Sequence, residues 1–324
     1  SIALTESSTQ ALRVVFMGTP DFALPALSGL VDAGYRIVGV LTRPDRRAGR
    51  GRRAAKPPIK AFAEEQGLSI FQPASLKRDA EAREQIASLA PDVIVVAAYG
   101  AFLPDDTLAV PRLGCLNIHP SLLPRHRGPS PVPSAILAGD EVTGVSVMLL
   151  DSGMDSGPIL AQRPTPIGPL EYRSELTPRL FRMGAGLLIE TLPGWASGEV
   201  KAQPQDDAAA TITKLLDRED GRIDWTGSAQ HVGRQIRAFD PWPGTHTMWR
   251  GKSLKILTAT PSKSTPASRA AGEVVELTDG GIGVVTGDGV LELTTVQIES
   301  KRPAPVGEFV QGYRDFVGSR LDSL

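Results

Sequence analysis

Leu116-Asn117-Ile118-His119-Pro120-Ser121-Leu122-Leu123-Pro124-Arg125-His126-Arg127-Gly128 lies between two apolar runs, residues 93–98 and 143–150, that read as strands. Residues 115–119 continue the strand pattern. Side chains alternate along a strand, so Asn117 and His119 point to the same side. Pro120 has no N–H to donate and ends the ladder. A carboxamide and an imidazole are thus held side by side at a strand end, where a loop begins. In an open α/β sheet that is where ligands bind.

Upstream of this stretch, strand and helix patterns alternate. Residues 12–17 form a short apolar run that reaches Gly18-Thr19-Pro20-Asp21. Proline in a first helical turn and an acid near the positive helix end suit a helix start there. The helix is expected to run to about Gly34, followed by a strand over 35–41. Residues 60–66, 70–71, 79–89 and 91–98 repeat the rhythm. Such alternation implies an α/β unit, a mostly parallel Rossmann-like sheet with helices on both faces. Gly18-Thr19-Pro20 is not G-x-G-x-x-G, so that turn does not indicate a dinucleotide site.

Downstream the texture changes. Ala202-Gln203-Pro204-Gln205-Asp206-Asp207-Ala208-Ala209-Ala210 is polar and without periodicity, and it reads as a linker. The organisation expected is a first domain over 1–200, a linker over 201–216 and a second domain over 217–324. In the second, Ile223-Asp224-Trp225 looks like a short strand and residues 229–239 like a helix. Short β patterns follow at 247–249, 254–257, 274–277, 283–285 and 291–298, broken by glycine turns. That spacing suggests a small closed β-barrel. Residues 261–271, rich in Ser, Pro and Ala, read as a loop.

At 324 residues the chain is long for one domain, and two are the natural expectation. A hydrophobic share of 41% and a charged share of 22% are those of a soluble globular protein. The net charge of −1 gives no protein-wide field for nucleic acid, so a polyanionic partner needs a local patch. The one cysteine, Cys115, allows no internal disulfide and fits a reducing compartment. The opening Ser1-Ile2-Ala3-Leu4-Thr5-Glu6 lacks the pattern of a secretory signal. No apolar run approaches the roughly 20 residues that span a bilayer. The expectation is a cytoplasmic protein without a membrane partner.

Several residues could carry chemistry. Asp151 and Asp155 fall in Asp151-Ser152-Gly153-Met154-Asp155-Ser156-Gly157, just after a strand. A loop there can bring one carboxylate to His119, fixing its tautomer and stabilising its charged form. Asp-Ser-Gly strings are also common turn chemistry, and a lone histidine at a loop start is often structural. Cys115 with His119 as its base fails on distance, since the strand separates them by about 13 Å at roughly 3.3 Å per residue. His119, His126, His231 and His246 make no short-spaced ligand cluster, so no metal is expected. Positive charge is concentrated between Arg43 and Lys60, where Arg46, Arg47, Arg50, Arg52, Arg53 and Lys56 stand against a single Asp45. A charge run is commonly just a solvated surface, but a local basic cluster in a nearly neutral protein suits phosphate backbones.

From end to end the chain resembles the methionyl-tRNA formyltransferase family. The resemblance rests on Arg13-Val14-Val15-Phe16-Met17-Gly18-Thr19-Pro20-Asp21-Phe22, Pro44-Asp45-Arg46 with Gly49-Arg50-Gly51, Ala98-Tyr99-Gly100, and the 117–128 and 151–157 stretches. Arg222-Ile223-Asp224-Trp225 and Ile236-Arg237-Ala238-Phe239-Asp240-Pro241-Trp242-Pro243-Gly244 extend it. The central motif is common to users of 10-formyltetrahydrofolate; the basic loop and the C-terminal strings are more specific to the tRNA enzymes. Two positions depart from the usual pattern, Pro120 and His126, where the family often has glycine and tryptophan.

The resemblance implies formyl transfer from 10-formyltetrahydrofolate to methionyl-initiator-tRNA. It implies a catalytic trio of Asn117, His119 and Asp155, and no metal. Ser121, Leu122, Leu123 and Pro124, with Ala98, Tyr99 and Gly100 nearby, are implied to form the folate pocket. It also implies an OB-like barrel that binds tRNA together with the basic loop (Arg46, Arg47, Arg50, Arg52, Arg53, Lys56), with Lys214 as a linker contact. The enzyme is expected to act as a monomer. Two alternatives stand beside this: a 10-formyltetrahydrofolate hydrolase or dehydrogenase-like enzyme, and a non-catalytic tRNA-binding protein. No extension of aldehyde-dehydrogenase length is present, which disfavours a dehydrogenase, and the intact trio disfavours a mere binding module.

Overall fold

The computed structural model describes residues 12–45, 56–264 and 269–322. The chain forms two compact units. The first takes the described residues of 1–128, 142–166 and 177–212, and the second those of 129–141, 167–176 and 213–322.

In chain order the elements begin with β1 (Arg13–Gly18), α1 (Leu24–Asp32), β2 (Arg36–Leu41), α2 (Pro58–Glu65), β3 (Ile70–Phe71), α3 (Ala80–Ser88), β4 (Val93–Ala97) and α4 (Asp105–Leu108). They continue with β5 (Cys115–His119), α5 (Pro131–Ala138), β6 (Val142–Leu149), β7 (Ile159–Pro166) and α6 (Arg173–Ser197). The rest are α7 (Ala229–Ala238), β8 (His246–Trp249), β9 (Lys252–Ser262), β10 (Val274–Glu276), β11 (Ile282–Val285), β12 (Val290–Ile298), β13 (Ala304–Pro305) and α8 (Val306–Gly312).

The first unit is built on one sheet ordered β3-β2-β1-β4-β5-β6-β7. Its pairs are parallel from β3 to β5 and antiparallel from β5 to β7. The mostly parallel sheet expected from the alternation is present. Both faces are covered, so the central strands are apolar throughout rather than alternating. Along β1, Val14 and Phe16 enter one core while Val15 and Met17 enter the other. Along β5, Leu116 and Ile118 join the first core; Cys115 lies in the second, and Asn117 and His119 share its side. Helix α6 covers the Ile118 side closely. A Cβ on Gly184 would stand 2.4 Å from Ile118 Cγ2, so only glycine lets the helix pack there.

Two elements had no clear sequence signal. Strand β7 holds Pro164 and Pro166, and it is the sheet's last strand, where a missing N–H is tolerated. Helix α6 runs 25 residues with Pro178 and Pro193 inside it, which interrupts the pattern of a single helix.

The second unit is a curled antiparallel sheet ordered β10-β11-β12-β9-β8, with β13 paired to β12. It is OB-like, as the resemblance implied, but among the described residues the sheet is a curled half-barrel whose end strands β10 and β8 do not pair, not the closed barrel that the strand spacing suggested. Its edge strands are spanned by the C-terminal segment: Val274 N donates to Ser319 O, and Asp322 N to Met248 O. Helix α7 buries Val232 and Ile236 in this unit's core. Ile223 and Trp225 are buried there too, but from a loop rather than a strand. Alternating burial arises there because Ile223 N donates to His246 O while the chain turns on Asp224.

Candidate active site

Parallel pairing sets β1, β4 and β5 side by side with their carboxyl ends together. Asn117 and His119 therefore sit at that edge, Asn117 beside Val96 of β4 and His119 beside Ser146 of β6. Just past β4, Ala98 has φ 50° and Gly100 φ 80°. Thr19, after β1, donates from Oγ1 to Tyr99 O at 3.0 Å and ties the two turns together.

His119 is 4% exposed. Its Nε2 lies 2.9 Å from the carbonyl oxygen of His126. A carbonyl only accepts, so Nε2 carries a hydrogen. The lone pair of the neutral ring is then on Nδ1, which faces Asp155 Oδ2 at 3.7 Å. Burial holds the imidazole below the ordinary histidine range, and the Asp155 charge opposes that shift. The ring is thus neutral near pH 7, with a carboxylate waiting for any proton that Nδ1 accepts.

The path of Asp155 to His119 is indirect. Strand β6 runs antiparallel to β5, so its last residue, Leu149, lies opposite Leu116 rather than His119. The following loop folds back along the strand. Asp151 shapes that loop: its Oδ1 accepts from Gly153 N at 2.9 Å and from Ser156 Oγ at 3.0 Å. Of the two carboxylates the sequence left open, Asp151 is therefore turn chemistry and Asp155 faces the histidine. Asp155 itself has φ 51°, and its Oδ2 accepts from Gly128 N at 2.9 Å. Ala98, His126 and Asp155 are all non-glycine residues at positive φ. Their clustering around one strand end is the kind of backbone strain that functional sites retain.

The Asn117 carboxamide is half-buried and, among the described residues, makes no hydrogen bond. It is a donor held on a rigid strand and engaged by no other described residue. Ser121 is different, since its hydroxyl donates to Arg125 O at 2.7 Å. Leu123 is buried and precedes a cis peptide to Pro124, while Leu122 is half-buried. Tyr99 turns its ring into the core, and its hydroxyl is buried with no hydrogen-bond partner among the described residues. Ala98, Tyr99 and Gly100 thus offer backbone more than side chain to the strand ends.

The sequence reading missed the residues that fasten these loops. Ser146 Oγ donates to Ser121 O at 2.7 Å and accepts from Leu123 N and Gln162 Nε2. Gln162 also donates to Leu123 O at 2.9 Å. The polar stretch read as a linker holds more. Gln205 Nε2 donates to Asp155 O at 2.8 Å and to Gly157 O at 2.7 Å. Its Oε1 accepts from Arg127 Nε at 3.0 Å, and Arg127 Nη2 pairs with Asp207 at 2.7 Å. Thr211 clamps the other loop, accepting from His126 N on Oγ1 and from Arg127 N on its carbonyl, and donating to Pro124 O. A buried serine and polar residues spaced without period give no sequence signal of this kind.

Cys115 is buried, and burial pushes its thiol up to about 12. Of the basic cluster, Arg46, Arg47, Arg50, Arg52 and Arg53 lie outside the described residues. Lys56 pairs with Glu64 at 2.7 Å, and Lys60 with Asp45 at 3.1 Å. In the second unit Lys214 is exposed and pairs with Asp220. Among the described residues no group of three or more His, Cys, Asp or Glu could hold a metal ion, and no helix is long and apolar enough to cross a membrane.

Residues 12–192 match the family described as "Formyl transferase", and residues 215–314 match "Formyl transferase, C-terminal domain". The fold is also similar to two solved structures. One is HypX from Aquifex aeolicus in complex with tetrahydrofolic acid, at a TM-score of 0.64 and 19% identity over 94% of this chain. This chain spans 48% of that protein's length. The other is an N-formyltransferase from Helicobacter canadensis complexed with folinic acid and dTDP-3-aminofucose. There the TM-score is 0.67 and the identity 15%, over 87% of this chain and 98% of that one. A sheet that ends in an Asn-x-His pair, matched along 12–192 by that family, makes the molecule a formyl transferase. Among curated proteins, methionyl-tRNA formyltransferase of Roseiflexus sp. strain RS-1 is 51% identical over 96% of this chain and 95% of its own. The chain belongs to the methionyl-tRNA formyltransferase family.

Proposed function

We propose that this enzyme transfers the formyl group of 10-formyltetrahydrofolate to the free amino group of methionyl-initiator-tRNA, acting as a monomer in the cytoplasm. The observation that carries the chemistry is the unengaged Asn117 carboxamide on the same strand face as His119, whose bare Nδ1 looks at Asp155. The donor folate supplies a formyl carbon on a nitrogen that can leave with a proton. The residues present fit such a group: one free donor for the formyl oxygen, and one neutral base backed by a carboxylate.

Asn117 donates to the formyl oxygen as its negative charge grows under attack by the amine. His119 takes the amine proton on Nδ1, and Asp155 stabilises the imidazolium that results. The same proton then goes to the folate nitrogen as its bond to the formyl carbon breaks. One C–N bond forms, one breaks, and the proton count closes. Ser121 to Pro124 and Ala98 to Gly100 would border the folate. The basic loop, the OB-like unit and Lys214 would hold the tRNA, and the identity of the relatives along nearly the whole chain supports that assignment.

The test is incubation with labelled formyl donor, with and without methionyl-initiator-tRNA. Label on the aminoacyl-tRNA is expected. Formate released without transfer would mean a hydrolase, and no product of either kind would mean a binding protein.

A further inference from the structure

The second unit contains a cavity of about 370 Å³ between α5, α7 and the segment after β7. Helix α7 turns two different faces to its surroundings. Val232 and Ile236 go into the core, while Gln230, Gly233, Arg234 and Arg237 line the cavity at helical spacing. Arg234 lies against Gly139, the left-handed residue that ends α5. A Cβ there would stand 2.4 Å from the guanidinium carbon, so the glycine makes room for the arginine. Arg237 donates to Glu171 O at 3.3 Å.

Neither guanidinium forms an ion pair among the described residues, although Asp140 and Glu141 also border the cavity. Burial lowers the pKa of Arg237, Tyr172 opposes that shift, and the like charge of Arg234 adds a smaller lowering. The carboxyl end of α5 offers Arg234 only roughly half a negative charge. Two half-buried guanidiniums that face one concavity and form an ion pair with neither of its carboxylates are open to an anion that joins them. A doubly charged tetrahedral oxyanion matches two guanidinium forks, whereas a carboxylate balances only one of them. The cavity is larger than a bare phosphate and falls in the range of small-molecule sites, roughly 300–1,000 Å³. Ile167, Leu170 and Pro261 give it apolar walls for an organic body.

We propose that this cavity binds a phosphomonoester, its phosphoryl group held between Arg234 and Arg237. Two sources carry that chemistry: a free organic monophosphate and the 5′-terminal phosphate of an RNA. Isothermal titration calorimetry of the full chain with adenosine 5′-monophosphate should give saturable binding. Arg234→Gln and Arg237→Gln, each shown to be folded by its melting curve, should weaken it by at least about tenfold. Arg234→Lys keeps the charge without the fork and should fall between them and the parent. Adenosine, which has no phosphate, should not bind. A second titration compares initiator tRNA with and without its 5′-phosphate. Loss of affinity on dephosphorylation, in the parent but not in Arg234→Gln, assigns the site to the RNA end; equal affinities assign it to the free monophosphate. Absence of saturable binding in both titrations overturns the proposal, as does equal binding by the parent and both glutamine variants. These readouts are heats of binding, so they stand apart from the formylation assay.

Discussion

Asp155 faces His119 across 3.7 Å, Oδ2 to Nδ1, while the far side of the imidazole is fixed on the His126 carbonyl. The geometry makes Nδ1 the only ring position that can gain a proton, and it makes the gain depend on the carboxylate. Asp155 raises the pKa of a ring that burial lowers. Replacing it as Asp155→Asn removes the raising influence, so the pKa falls further. The acid limb of kcat against pH is expected to shift to lower pH, and the plateau to drop about 100- to 1000-fold. An unmoved limb at saturating substrates would take Asp155 out of the mechanism.

Asn117→Ala tests the donor to the formyl oxygen. The side chain has no partner within the described protein, so its loss should leave the melting temperature almost unchanged. Turnover should fall by about 100- to 1000-fold while donor binding persists. Near-parent kcat would show that the oxygen is stabilised elsewhere.

Gln205 holds Asp155 and Gly157 by their carbonyls and Arg127 by its guanidinium. Truncation to alanine strands those groups, at a stability cost of roughly 1–3 kcal/mol. A misplacement of about 1 Å in a catalytic group can cost about 100-fold in rate. Gln205→Ala should therefore lower kcat and move the acid limb in the same direction as Asp155→Asn. A variant that melts earlier but keeps the parent pH profile would reduce Gln205 to a structural brace.

Cys115 should be chemically silent. With its thiol pushed up to about 12 by burial, it stays protonated at working pH. Iodoacetamide at pH 8 should label it only in the unfolded chain, and Cys115→Ser should turn over at close to the parent rate. A covalent formyl thioester trapped on Cys115 would contradict the direct-transfer route.

The basic loop yields a prediction from sequence alone. Arg50 stands between Gly49 and Gly51, where backbone can approach a partner closely. Arg50→Lys keeps the charge but loses the planar fork. A large drop in kcat/KM for initiator tRNA is expected, with the salt dependence of binding nearly unchanged. Unchanged kcat/KM would leave the loop as an electrostatic tether.

The parallel sheet was legible because its strands, buried on both faces, read as apolar runs set between helical patterns. Asn117 and His119 were legible for a simpler reason: strand alternation and Pro120 are local facts. The choice between Asp151 and Asp155 was open by spacing, because it depends on how the loop folds back along β5. Strand β7 and helix α6 were hidden by prolines that an edge strand and a long packed helix accommodate. Ser146, Gln162, Gln205 and Thr211 act on backbone carbonyls and amides far away in sequence, and such pairings leave no periodic trace. The short strand expected at 223–225 came from reading buried alternation as pairing.

The contacts of Gln205 and Thr211 also set a timetable. His126 binds a residue made 85 positions later, and Asp155 one made 50 positions later. At about 5–20 residues per second, the ribosome supplies Thr211 roughly 4 to 17 seconds after His126. A growing chain therefore carries Asn117 and His119 on a nearly finished sheet while the two loops beside them are still unfastened. For anyone dividing or grafting this protein, a cut at residue 200 separates the loops from their fasteners, and a cut after residue 212 keeps them together.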